Sequence, residues 1–90
     1  MPTNGNGNDF PGWTDVTPGE FDRSGHKLEV LSGPHAGVYR LRSTVDAREI
    51  ASALNDGKKL YRNDEDGSFG IAVPDAPEFE EKYPKDILSA

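Results

Sequence analysis

Short apolar runs alternating with charged positions are the main structural signal along this chain of 90 residues. The stretch from Leu28 to Arg42 holds two such runs, 28–31 and 38–41, separated by Ser32–Gly37, which is rich in glycine and proline. Side chains two residues apart lie on the same face of a strand, so Leu28 and Val30 share one face, as do Tyr39 and Leu41. The pattern predicts a first antiparallel hairpin.

One helix is predicted after this hairpin. Ala47, Ile50, Ala51 and Leu54 follow the spacing i, i+3, i+4, i+7, which places them on one face of a helix. Asp46 is the expected N-cap, and Gly57 is the expected left-handed residue after the helix end. About nine residues are too few for a helix to be stable alone, so this helix should pack on a sheet.

A second hairpin follows, with strands at Lys58–Arg62 and Ser68–Val73 around an acidic turn that ends in Gly67. Phe69, Ile71 and Val73 share one face, whereas Gly70 and Ala72 on the other face are small enough for close approach of another segment. The resulting order is β–β–α–β–β, a mainly β fold with one short helix, forming a small barrel or a curled antiparallel sheet. The predicted core is Leu28, Val30, Tyr39, Leu41, Ile50, Leu54, Leu60, Phe69, Ile71 and Val73.

The two flanks differ from this centre in charge and composition. Net charge is −6, with four acids and no base in residues 1–22, and five acids and two bases in residues 74–90. Mean hydropathy is −0.74, which is low for a compact domain. We therefore divide the chain into an extended N-terminal arm (1–22), a small β domain (23–73) and a C-terminal arm (74–90).

Large apolar side chains are spaced along both arms. Glycine and proline disfavour regular structure there, so each arm is either a disordered flank or a segment that docks onto its own barrel or onto a neighbouring subunit. Together with the loop between the first two strands, these side chains form the predicted partner-binding set: Phe10, Trp13, Phe21, Pro34, His35, Phe79, Tyr83, Ile87 and Leu88. On the docking interpretation, deleting residues 1–22 should abolish assembly and leave the core folded.

Catalytic, metal and cofactor sites are not predicted. The two histidines, His26 and His35, do not have metal-ligand spacing, and the chain has no cysteine. The acidic turn fails the EF-hand pattern, since Arg62 and Val73 would occupy loop positions that require ligands. Basic residues on the strands are interleaved with acids, so nucleic-acid binding is not expected. No signal peptide or membrane span is expected either.

One sequence motif resembles the KOW-type hairpin of SH3-like barrels: Leu28-x-Val30-x-x-Gly33-x-x-x-Gly37. It departs from that pattern at Tyr39 and Arg40, where the pattern usually has another glycine. Ser32 to Leu41 also resembles head–tail joining and head-completion proteins of tailed bacteriophages. That resemblance covers about a third of the chain and implies a structural virion subunit, made in the host cytoplasm, whose arms lock neighbours into a homo-oligomeric ring or a larger assembly. The alternative is a small acidic, cytoplasmic regulatory or inhibitory protein that binds one protein target.

Overall fold

Two antiparallel sheets and one helix enclose a shared core in a computed structural model of the chain, which describes residues 10–74 and 78–84. The elements are β1 (Trp13–Asp15), β2 (Glu20–Ser24), β3 (Lys27–Ser32), β4 (Gly37–Arg40), α1 (Thr44–Asn55), β5 (Lys59–Asn63), β6 (Phe69–Ala72) and β7 (Glu81–Tyr83). The predicted mainly β fold with one short helix is confirmed. Its strands form two sheets of order β1-β5-β6-β7 and β2-β3-β4 rather than one closed barrel.

Both predicted hairpins are present. β3 pairs with β4 from Lys27 opposite Arg40, and β5 pairs with β6 from Lys59 opposite Ala72. The alternation read from the sequence therefore sets the register, and the side chains of Leu28, Tyr39 and Ile71 are buried on the core face.

The flanks contribute three further strands. β1 pairs with β5, β2 with β3, and β7 with β6, so the boundary expected at residue 22 lies inside β2 and residues 81–83 form a sheet edge. Between β1 and β2 the chain crosses from one sheet to the other. There Val16 is only 1% exposed, and its N–H donates to the Leu60 carbonyl at 2.8 Å. Residues 13–24 thus belong to the folded domain, unlike the separable arm that the composition suggested.

The buried core is broader than the sequence indicates. It comprises Val16, Leu28, Val30, Tyr39, Leu41, Ala47, Ile50, Ala51, Leu60, Phe69, Ile71 and Tyr83. Leu54 packs only partly buried against this cluster, and Val73 lies outside it. Val16 and Tyr83 were not predicted because both lie in flanks whose composition is that of loops.

Helix α1 is the one helix in the described part of the chain, and no helix there is long and apolar enough to cross a membrane. The predicted N-cap, Asp46, is wrong: Ser43 caps the helix, and its hydroxyl accepts a 3.1 Å hydrogen bond from the Asp46 N–H. Serine is as good an N-cap as aspartate, and starting the helix earlier adds a turn. Asp46 is then buried within the first turn, with its carboxylate 3.2 Å from Arg42. At the other end Gly57 has φ +90, as predicted.

Replacing the N-cap residue Ser43 tests whether helix α1 begins there. We expect Ser43→Ala to lower the free energy of unfolding by about 1 kcal/mol, because one N–H of the first turn loses its acceptor. The matched control is Ser52→Ala on the exposed part of the same helix, which should be neutral or slightly stabilising because alanine has the higher helix propensity. Equal effects of the two variants in urea denaturation would contradict the assignment of Ser43.

Candidate functional site

The outward face of the four-stranded sheet has a glycine at its centre. On β6, Phe69 and Ile71 face the core, so Gly70 faces the opposite side, between Tyr61 on β5 and Lys82 on β7. A Cβ atom at Gly70 would lie 2.6 Å and 2.7 Å from two ring carbons of Phe79. The sequence predicted close approach of another segment over this small residue, and the approaching group is the phenyl ring of Phe79.

Phe79 is the central ring of an aromatic cluster that we define as Phe10, Trp13, Tyr61 and Phe79. Its ring centroid lies 4.1 Å from that of Phe10 in a stacked arrangement and 4.4 Å from that of Trp13. Tyr61 contacts Phe10 edge-on at 4.8 Å and Phe79 at 5.6 Å. The two contacts of Tyr61 have the edge-to-face geometry that aromatic rings prefer, and the other two bring the rings into close packing. The cluster therefore has defined packing and is not a loose apolar patch.

Backbone hydrogen bonds bring both flanks to this face. The Trp13 N–H donates to the Phe10 carbonyl at 2.9 Å, which closes a turn in which Gly12 adopts φ +85. The Gly12 carbonyl accepts from the Asp64 N–H at 2.8 Å and so ties this turn to the β5–β6 turn. On the other side the Glu80 N–H donates to the Ile71 carbonyl at 2.6 Å, which places Phe79 beside β6.

The cluster is only partly covered. Tyr61 is 2% exposed, whereas Phe10, Trp13 and Phe79 each keep an intermediate fraction of their surface accessible. The ammonium group of Lys82 lies 5.4 Å from the Phe79 ring centroid and 5.9 Å from that of Trp13, within cation–π range. The chain thus presents partly exposed aromatic rings, the side-chain type that is enriched in the cores of protein interfaces.

The predicted partner-binding residues fall into separate places. Phe10, Trp13 and Phe79 meet in the aromatic cluster, whereas Phe21 on β2 packs against the core. Tyr83 is a core residue of β7, and its burial, followed by the nearby Glu81 and Glu49 carboxylates, raises the pKa of its phenol far above the ordinary value.

The loop residues Pro34 and His35 lie between β3 and β4, two strands of the other sheet. The Tyr39 hydroxyl donates to the His35 carbonyl at 2.6 Å, which fixes this loop to the core. Ile87 and Leu88 lie outside the described residues. The sequence did not predict three residues of this site, namely Tyr61, Gly70 and Lys82. The small side chains on the outward face of β6 did indicate where another group would pack, and the aromatic cluster lies there.

The titratable side chains of the described residues form no group of three or more histidines, cysteines, aspartates or glutamates that could hold a metal ion. The polar contacts near the cluster are structural. Thr14 hydrogen-bonds the Asp64 carboxylate, and Lys58 pairs with Glu80 at 2.7 Å. The pKa of the Lys58 ammonium is raised mainly by this hydrogen bond to Glu80.

Comparisons with protein-family models, with curated proteins and with solved structures find no match for this chain.

Proposed function

We propose that this protein is a non-enzymatic assembly subunit that docks onto neighbouring copies of itself through the aromatic cluster. The observation that carries the proposal is the partial exposure of Phe10, Trp13 and Phe79 on the sheet face opposite the core. Aromatic side chains that are held in place before binding lose little conformational entropy when a partner covers them. They are accordingly enriched among the residues that contribute most to binding.

The sequence left open whether the aromatic residues of the arms dock onto the chain's own barrel or onto a neighbour, and Phe10, Trp13 and Phe79 lie on the chain's own sheet. Free arms would carry their aromatic residues to a neighbour individually, whereas here residues from both flanks form one contiguous surface. More specifically, we propose that the protein is a virion subunit that acts in head–tail joining or head completion. This part of the proposal rests on the resemblance of the segment from Ser32 to Leu41 to bacteriophage proteins of those kinds. The subunit would then be made in the host cytoplasm and incorporated into the particle.

The mass of the purified protein in solution tests self-association. We expect the native chain to form a species larger than a monomer, and Trp13→Ser to shift the distribution towards monomer while the chain stays folded by circular dichroism. The matched control is Leu31→Ser, which removes another exposed apolar side chain (46% exposed) from the three-stranded sheet.

A monomeric native protein would contradict the proposal, as would an oligomer that Trp13→Ser leaves intact. The salt dependence of the binding affinity distinguishes this proposal from the alternative, an acidic regulatory or inhibitory protein. Binding through an acidic surface weakens steeply from low to physiological salt, whereas binding through buried aromatic rings does not.

A further inference from the structure

A second surface lies at the edge of the three-stranded sheet. β4 pairs with β3 on one side, and in residues 10–74 and 78–84 no strand lies along its other side. β4 is four residues long and pairs with β3 without a register shift, whereas the other sheet edges are shorter or irregular. β1 and β7 are three residues long, and β2 carries a register shift between Glu20 and Phe21. Short length and bulges are devices that prevent further strand pairing.

β4 itself is regular over Gly37–Arg40 and contains neither proline nor an acid. Its Val38 side chain is 59% exposed, the highest value among the exposed large hydrophobic side chains of the described chain. An open, regular edge beside an uncovered apolar side chain is a template for an additional strand.

A cationic cleft runs beside this edge. Lys27, Arg40 and Arg62 line it, and no acidic side chain does. Lys27 and Arg40 are cross-strand partners on β3 and β4, whereas Arg62 comes from β5 of the other sheet. Three cations from three strands therefore meet at one place on a chain whose net charge is −6.

The inner side of the cleft is neutral and fixed. The rings of Tyr39 and Phe69 lie 5.5 Å apart and join the two sheets there. The Tyr39 hydroxyl is already bonded to the His35 carbonyl, and its burial raises the pKa of the phenol, an effect that Arg62 partly opposes. The charged side chains that line this cleft are thus the three basic ones, while Glu29, the cross-strand partner of Val38, lines the neighbouring cleft on the same hairpin.

We propose that an extended acidic peptide segment of a partner protein adds as a strand to the open edge of β4, with its carboxylates beside Lys27, Arg40 and Arg62. Main-chain hydrogen bonds would supply affinity, and alternate side chains would supply specificity. A long polyanion such as a nucleic acid is disfavoured, because only three cations line the cleft and the remaining charge of the chain repels phosphates. This surface is separate from the aromatic cluster, so the inference does not depend on self-association.

The test uses the full chain and a fluorescein-labelled peptide of alternating glutamate and valine, followed by fluorescence anisotropy. Binding should weaken by about tenfold or more in Arg40→Glu, because an attractive charge becomes a repulsive one at the cleft. The control Arg48→Glu makes the same charge change at an exposed position of α1 that does not line the cleft, and it should change affinity far less.

Further probes make the outcome decisive. Two peptides are N-methylated, one at every glutamate and the other at every valine, because only one of these alternate sets of N–H groups can face β4 in an added strand. One of the two should lose binding, and equal binding of both to that of the unmodified peptide would overturn strand addition. No measurable binding of the acidic peptide, equal losses in the Arg40 and Arg48 variants, or tighter binding of a single-stranded oligonucleotide would also overturn the proposal. Trp13→Ser should leave peptide binding unchanged even if it abolishes self-association.

Discussion

Deleting residues 1–22 is expected to abolish cooperative folding of this domain. The deletion removes β1, most of β2 and the fully buried Val16. It also removes the Thr17 hydroxyl, which accepts a 2.9 Å hydrogen bond from the Leu60 N–H. Burial of a single valine contributes about 1.5 to 3 kcal/mol. Small domains are stable by only about 5 to 15 kcal/mol, so the summed loss consumes most or all of the stability.

Thermal unfolding followed by circular dichroism measures this effect. Deletion of residues 1–9 is the control, because it removes none of the contacts described for Phe10 and beyond, and the shortened chain should unfold cooperatively near the native temperature. If the chain lacking residues 1–22 unfolds cooperatively at that temperature too, residues 10–22 are a separable arm and the account of the core is wrong.

Gly70→Ala is expected to destabilise the protein by about 1 to 3 kcal/mol, the usual cost of overpacking a filled site. The added methyl group would lie 2.6 Å from a ring carbon of Phe79, so the ring must leave its place between Phe10 and Trp13. The backbone of Gly70 contributes no strain, because its φ is not in the left-handed region.

A double-mutant cycle isolates this contact. In a Phe79→Ala background the ring is absent, and Gly70→Ala should then cost less than about 0.5 kcal/mol, since the two positions are coupled only through the ring. Urea denaturation of the four proteins provides the comparison. The same cost in both backgrounds would show that Phe79 does not lie over Gly70.

The elements that could be predicted from sequence are those whose signal is local. Alternation in Leu28–Arg42 defines the first hairpin, and the i, i+3, i+4 spacing around Ile50 defines the helix. The helix start was placed three residues late because Ser43 and Asp46 are comparably good caps, and sequence alone does not decide between them.

What could not be predicted depends on contacts between distant parts of the chain. β1 is only three residues long and forms by pairing with β5, whose partner residues lie about fifty positions further on. Likewise, Phe10 and Phe79 were recognised as apolar anchors, but nothing in their local sequence shows that they stack on each other. Glycine and proline near both residues favour loops, and tertiary packing overrides that preference.

The role of the flanks also changes. Within residues 10–74 and 78–84, the acids of the flanks are mostly exposed, while the large apolar side chains of the flanks divide between the core and the aromatic cluster. Val16 and Tyr83 stabilise the interior, and Phe10, Trp13 and Phe79 are available at the surface. Each flank therefore contributes residues to the folded core and, on our proposal, residues to the association surface.

The most direct test of docking through the aromatic cluster uses Trp13, the single tryptophan of the chain, as a reporter. Its indole emission and its quenching by acrylamide should be measured across the protein concentrations over which the mass of the assembly rises. If neighbours cover the cluster, the emission shifts to shorter wavelength and quenching falls as the assembly forms. A rise in mass with unchanged emission and unchanged quenching would place the interface elsewhere and contradict the account.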